Sequence, residues 1–575
     1  MEGKQWMLLL LLVVLLVAVS MDLSGYQLQS PLTAGYRSKA QEGAAEKVNG
    51  REVIKSSDSE RLPIVANLSN CHASLTDAGV PVYCCPIWKD GDQELVDFQF
   101  PDPSSPMRIR RPIHKIDDEY RAKYARAVEI MKNLPDDHPH NYRRQANMHC
   151  LYCTGAYNQM SSEALYKIHR TWLFFPWHRA FLYFHERILG KLIGDENFSL
   201  IYWAWDHPDG MWFPEMFKNG SLIAMQRDPY HFQHAVDDNY ARVERNLTDS
   251  EQILDNLALM YHQMVSGAKK SELFMGCKLR HGVSGFCDIP GTIEAAPHNT
   301  VHSWVGNRNN PEREYMGAFY SAARDPVFFG HHSEIDRMWT VWRRMRGNKH
   351  PATEFPDEDW LDTEFTFYDE NVRLVRIKVR DVLDHTKLRY KYQDVDFRWL
   401  NARPKPSVAP HVARSILKKR HAEQQSLLRM PGSDQQQLEQ QGNWTLDKPI
   451  TVRLERPRVN RTKEEKEEEE EIIYIYGINT KRSSFVKFDV FVNVVEETVL
   501  SPRSREFAGT FVDIQHVSRS KDGMKMKSGL KLGISELLED LEADGDDSIW
   551  VTLVPRGDAG SLNTTVEGLR IEYMR

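Results

Sequence analysis

The sequence predicts a mainly helical domain over residues 63–393 and an antiparallel β-sandwich over 443–575, joined by an exposed linker. Three observations predict it. Apolar residues recur at helical spacing in several segments up to about residue 346. Composition shifts near residue 393 towards Gln, Pro and basic residues. Beyond the shift, alternating and β-branched runs are separated by turn residues. The 575 residues are 41% hydrophobic and 27% charged, enough for a large core and contrary to global disorder. A net charge of -7 leaves no basic footprint for nucleic acid.

The first element, residues 1–20, reads as a secretory signal peptide: Lys4, an apolar run from Met7 to Val19, and small residues Ala18 and Ser20 at a cleavage site. That run is short for a membrane span, and no later stretch is apolar enough for one. Asn67, Asn197, Asn219, Asn246, Asn443, Asn460 and Asn563 each begin an N-glycan acceptor tripeptide. Signal and acceptors together predict the secretory pathway, the vacuole before the apoplast, with N-glycans, no retained membrane segment and disulfides allowed. Residues 21–62 are polar and aperiodic, a flexible pro-segment. The Pro- and Cys-punctuated stretch 63–112 reads as loops around the core.

"DDEYRAKYARAVEIMKNL" has an acidic start and helical spacing, which predicts a helix over 117–134. Further helices are expected near 160–170, 179–193, 250–265, 298–305 and 331–346. Residues 394–442 form the linker, with basic pairs that invite an activating protease. Six runs from "KPITVRLERP" to "GLRIEYM" supply the sandwich strands, and the acidic run 463–471 reads as a solvated loop.

The chemistry lies in the histidines. "HCLYC" puts His149, Cys150 and Cys153 within five positions, open to a zinc knuckle, a disulfide anchor or part of a larger site. The seven cysteines leave one sulfur without a disulfide partner. His149, His169 and His178 form one group; His298, His302 and His332 form a second. His298 and His302 are four apart, so a helix presents both rings on one face. Imidazole donors without carboxylates suit copper or zinc. Asp336, four residues after His332, reads either as a carboxylate orienting a ring or as a helix-face ion pair.

The stretches "HCLYC", "HRTWLFFPWHRAFLYFHERILG", "YWAWDHP", "EAAPHNTVHSWVGN", "FYSAARDPVFFGHHSEIDRMW" and "KFDV" closely resemble plant polyphenol oxidases, the tyrosinase and catechol oxidase family of type-3 copper proteins. The resemblance runs from about residue 63 to 575. It implies a catalytic four-helix bundle with long loops around two copper ions, one held by His149, His169 and His178, the other by His298, His302 and His332, with His331 a structural neighbour. It implies disulfides Cys84–Cys150 and Cys71–Cys85, and a thioether from Cys153 to His169 that absorbs the odd sulfur. Cys277 and Cys287 lie outside the family pattern and are expected to form an extra disulfide.

The resemblance further implies dioxygen-dependent oxidation of o-diphenols to o-quinones. Phe319 would gate the site, and Glu294 with Asn299 would hold a water that deprotonates monophenols for hydroxylation. The C-terminal domain would shield the entrance and keep the enzyme latent, as a zymogen. Two features depart from the common pattern. Glu334 stands where Asn is usual, and the leader looks secretory, against the plastid lumen. Alternatives are a specialised biosynthetic phenol oxidase, a haemocyanin-like dioxygen carrier, and a zinc hydrolase, the last disfavoured because no bridging carboxylate joins the histidines.

Overall fold

The computed structural model describes residues 47–48, 51–52, 62–75, 80–86, 94–282, 287–310, 313–347, 355–428, 442–480, 485–514, 527–556 and 564–575. The expected signal peptide, almost all of the pro-segment and the Asn563 acceptor lie outside these residues. The chain divides into Met1–Glu60 and Arg61–Arg575. Of the first unit, only an antiparallel pairing of Lys47–Val48 with Arg51–Glu52 is described.

In the second unit, helix α1 (Asp118–Lys132) starts where predicted, because the Asp117 carboxylate accepts from the Tyr120 backbone N–H and caps it. Helix α2 (Tyr142–Cys153) carries the HCLYC motif, a helix the sequence reading did not anticipate; the Asn141 side chain caps it through the Arg143 N–H. Helix α3 is Phe174–Ile193, α4 Asp249–Tyr261, α5 Asn299–Val305 and α6 Val327–Met345. The helix expected near 160–170 is absent: that stretch is turns, with Tyr166 folded back to bond Tyr157. Strand β1 (Arg108–Pro112) pairs in parallel with β2 (Ile201–Tyr202) and β3 (Tyr390–Tyr392) across the bundle. No helix among the described residues is long and apolar enough to cross a membrane.

Two boundaries differ from expectation. The packing of the helical domain continues past residue 393, since Trp399 is fully buried and its indole N–H donates to Asp206. Within the stretch read as a linker lies helix α7 (Pro410–Leu428). Its straight-chain Lys, Arg, Glu, Gln and Leu residues favour helix, a preference that the Gln-rich, basic composition obscured. Arg420 of α7 donates to the Val494 carbonyl at 3.2 Å. The acidic run is likewise ordered. Lys463–Glu468 form a short helix with a Thr462–Glu465 capping box, and Glu470 and Glu471 enter a strand, where Arg456 pairs with Glu471.

The C-terminal domain is a sandwich of two antiparallel sheets. Its strands are β4 (Ile450–Glu455), β5 (Glu470–Ile478), β6 (Val486–Val492), β7 (Phe507–Asp513), β8 (Ser528–Gly533), β9 (Ser548–Arg556) and β10 (Gly568–Met574). The sheet orders are β4-β9-β6-β7 and β8-β5-β10. Glycine-bearing β8 was not read from sequence. Strand β6 is buried along its whole length. Period-two alternation explains this: Val486, Phe488, Val490 and Val492 fill the sandwich core, while Phe491 turns to the helical domain and packs with Phe485, Phe507, Val512, Leu259 and Ala296. On that second face Lys487 and Arg556 pair with Asp489, and Arg556 also reaches Glu244 of the helical domain.

Candidate active site

Helical geometry answers the question posed by HCLYC. His149 and Cys153, four apart on α2, share a face. Cys150 points away and bridges to Cys84, Cys71 bridges to Cys85, and Cys277 bridges to Cys287. Cys153 is a buried thiol.

The fold brings two metal-ligand clusters together, and all eight residues are buried. His149, Cys153, His169 and His178 offer donor atoms within 4.8 Å of one another, as do His298, His302, His331 and His332. Helices α2, α3, α5 and α6 supply these residues, apart from His169, on the loop before α3, and His298, at the threshold of α5. The clusters face each other: the rings of His178 and His332 stack at 4.2 Å, and those of His169 and His298 at 5.7 Å.

Backbone carbonyls fix the rings. His149 Nδ1 lies 2.9 Å from the Phe319 carbonyl, His178 Nδ1 2.7 Å from Phe174, and His302 Nδ1 2.8 Å from Met316. Each N–H donated there leaves Nε2 as the lone-pair donor. Sequence reasoning missed these orienting carbonyls, because the type of the residue that carries a carbonyl does not announce it. Burial pushes the imidazolium of His178 down to about 3 and that of His302 to about 4, and holds His298 and His332 well below the ordinary range. The rings are therefore neutral at physiological pH, the form that binds metal. Nε2 of His178 and of His298 are buried without a hydrogen-bond partner, and Nε2 of His302 and of His332 converge to 3.2 Å, as a copper site requires. The residues fit the metal.

Phe319 roofs the clusters, its ring centroid 4.3 Å from that of His169 and 6.0 Å from that of His302. Glu294 is buried; one oxygen accepts the Arg170 N–H at 2.7 Å and the other has no partner. Burial pushes its carboxyl up to about 8. Asn299 is fully engaged: Oδ1 lies 2.8 Å from His298 Nδ1, and Nδ2 donates to the Val512 carbonyl of β7 at 3.0 Å. Arg170, next to His169, pairs with Asp288 and with Asp513 of the C-terminal domain, and donates to Ser528.

Asp336 does not orient an imidazole. Its oxygens are taken by Arg179, Arg110, Tyr390 and Tyr392, a buried network that ties α3 and α6 to the sheet. One helical turn separates it from His332, but the facing arginines outcompete a neutral ring. Glu334 pairs with Arg337 at 2.7 Å, and Arg337 also pairs with Asp206. His331 stands in the second cluster with its Nδ1 accepting from Trp205 at 3.1 Å.

Residues 139–345 match the common central domain of tyrosinase, 354–405 the polyphenol oxidase middle domain, and 443–573 the chloroplastic polyphenol oxidase C-terminal domain. The chain belongs to the plant polyphenol oxidase family. Aureusidin synthase of Antirrhinum majus is 45% identical over 511 residues, covering 86% of this chain and 87% of that protein. The chloroplastic polyphenol oxidase of Vitis vinifera is 43% identical over 520 residues, 89% of this chain and 82% of that one. The structure of latent apple tyrosinase superposes with a TM-score of 0.73 at 41% identity, covering 84% of this chain and all of that one.

Polyphenol oxidases are copper-dependent oxidoreductases that act on phenols with dioxygen, and this chain has the helical core and C-terminal β-domain of the latent forms. One expectation is overturned. Polyphenol oxidases of Vitis vinifera, Malus domestica and Vicia faba are named chloroplastic, which points to the plastid and away from the vacuole. An apolar leader is compatible with more than one translocation route, so its composition did not specify the organelle. The acceptor tripeptides lose the context that gave them weight.

Proposed function

We propose that the chain oxidises o-diphenols to o-quinones and hydroxylates monophenols at a pair of copper ions, one held by His149, His169 and His178, the other by His298, His302 and His332. What carries this reading is the pair of facing, buried imidazole clusters without a carboxylate in either. That donor set also disfavours a zinc hydrolase. Copper bound there supplies dioxygen binding and two-electron exchange with the phenol.

The chain's own residues do the rest. The Phe319 ring stacks on an incoming phenol and excludes water. Glu294, with Asn299, holds a water that takes the phenolic proton. In the latent arrangement Asn299 is occupied by Val512, so its part in this begins when the C-terminal domain leaves. Cys153 bonds through Sγ to a ring carbon of His169, each losing one hydrogen and the electron pair passing to dioxygen. The link orients the ring and removes an oxidisable thiol. A protease cutting in the 394–442 stretch, beyond helix α7, releases the shield.

A second reading is a biosynthetic oxidase of one plant phenolic, favoured by the likeness to aureusidin synthase. Oxygen uptake by the copper-loaded chain, before and after limited proteolysis, tests the first. Uptake with catechol and with its monophenol, rising after cleavage, supports it. Catechol alone leaves a catechol oxidase, and reversible oxygen binding without turnover makes the chain a carrier.

A further inference from the structure

We propose that His114, His207 and Asp209 form a separate metal site for a zinc- or copper-class divalent ion, built where β1 and β2 end. None of the histidines of the two active-site clusters takes part in it. The parallel pairing of Arg111 with Ile201 and Pro112 with Tyr202 brings the two strand ends to one edge. The chain then turns, through Ile113–Lys115 after β1 and Pro208–Gly210 after β2, and these turns deliver the three side chains. One donor atom from each lies within 4.8 Å of the others, and the two imidazoles stand parallel, 5.9 Å apart.

Two observations point to a ligand rather than to packing. Both ring nitrogens of His114 are shut off from solvent and have no hydrogen-bond partner, a state that buried imidazoles seldom hold. His207 Nε2 is 2.9 Å from the Asp396 carboxylate, the arrangement by which a carboxylate orients a ligating imidazole and fixes its tautomer. That leaves Nδ1 on the side of Asp209, whose carboxylate is 3.8 Å away on a side chain 71% exposed and able to swing in. Nδ1 now accepts only the Asp209 backbone N–H, at 3.2 Å, a contact that a metal displaces. Two imidazoles and one carboxylate match zinc or copper better than magnesium or calcium, with the open side left to water.

The test is a zinc titration of the copper-loaded, full-length protein by calorimetry, with copper content measured before and after. The wild type should bind one zinc per chain that His207→Asn and Asp209→Asn do not bind, with copper content and catechol oxidation equal in all three. Zinc should raise the melting temperature of the wild type and not that of Asp209→Asn, whose exposed position spares the fold. Asp396→Asn should bind about 10–100-fold more weakly. Equal zinc binding by wild type and Asp209→Asn, or none by the wild type, overturns the site.

Discussion

The side-chain amide of Asn299 donates to the backbone carbonyl of Val512, 3.0 Å away, while its oxygen meets Nδ1 of His298. One side chain thus joins a histidine of the second cluster to a strand of the C-terminal domain. Replacing Asn299 with Ala should therefore act differently before and after cleavage. In the cleaved enzyme it should lower monophenol hydroxylation by at least about 10-fold relative to catechol oxidation, the scale of losing help to a general base. Steady-state oxygen uptake with both substrates checks it. An unchanged ratio removes Asn299 from the proton transfer.

Arg170 binds the C-terminal domain at the same border through Asp513 and Ser528. Asp513→Asn combined with Ser528→Ala should raise the activity of the uncut chain and leave unaltered the cut enzyme diluted until its shield has dissociated. A loss of about 1.4 kcal/mol of docking energy increases the open fraction about tenfold. Activity measured before and after proteolysis decides.

His331 and His332 both stand in the second cluster, but Nδ1 of His331 accepts the Trp205 indole N–H, so its Nε2 carries the ring proton and offers no lone pair. Loss of His332, as His332→Asn, should cost copper and activity together. His331→Asn should keep most of the copper. Metal analysis of the two purified variants separates the roles, and the reverse outcome exchanges them.

Glu294 keeps its proton in the folded, copper-free chain up to about pH 8, against an ordinary value of 4.5. Between those values the folded state binds a proton that the unfolded state has released. The contribution of Glu294 to stability is thus complete below about pH 4.5 and declines as pH rises to about 8. Glu294→Gln should flatten that decline in copper-free protein, as followed by denaturant midpoints across the range. Parallel curves would mean that the carboxyl is ionised throughout.

Much of this was legible because the histidine motifs are local: spacing alone placed His298 and His302 on one side of α5, and the alternation in "FVKFDVFVNVV" marked β6. Long-range packing was not legible. Asp336 looked like a partner for His332, yet Arg179 and Arg110, distant in sequence, claim it. The acidic run looked solvated until Arg456 buried Glu471. Helix α7 hid in a composition typical of linkers, and α2 hid behind a polar first turn. The orienting carbonyls of Phe174, Met316 and Phe319 belong to the backbone and have no signature in residue type.

Strand β6 is covered on both faces, one by its own sandwich and the other by the helical domain. While the chain is whole, the two domains are tethered, and their mutual affinity acts at an effective concentration in the millimolar range. A single cut beyond α7 leaves the contacts described above in place. It turns a closed intramolecular equilibrium into a bimolecular one, so the nicked enzyme should switch on as it is diluted and switch off again as it is concentrated.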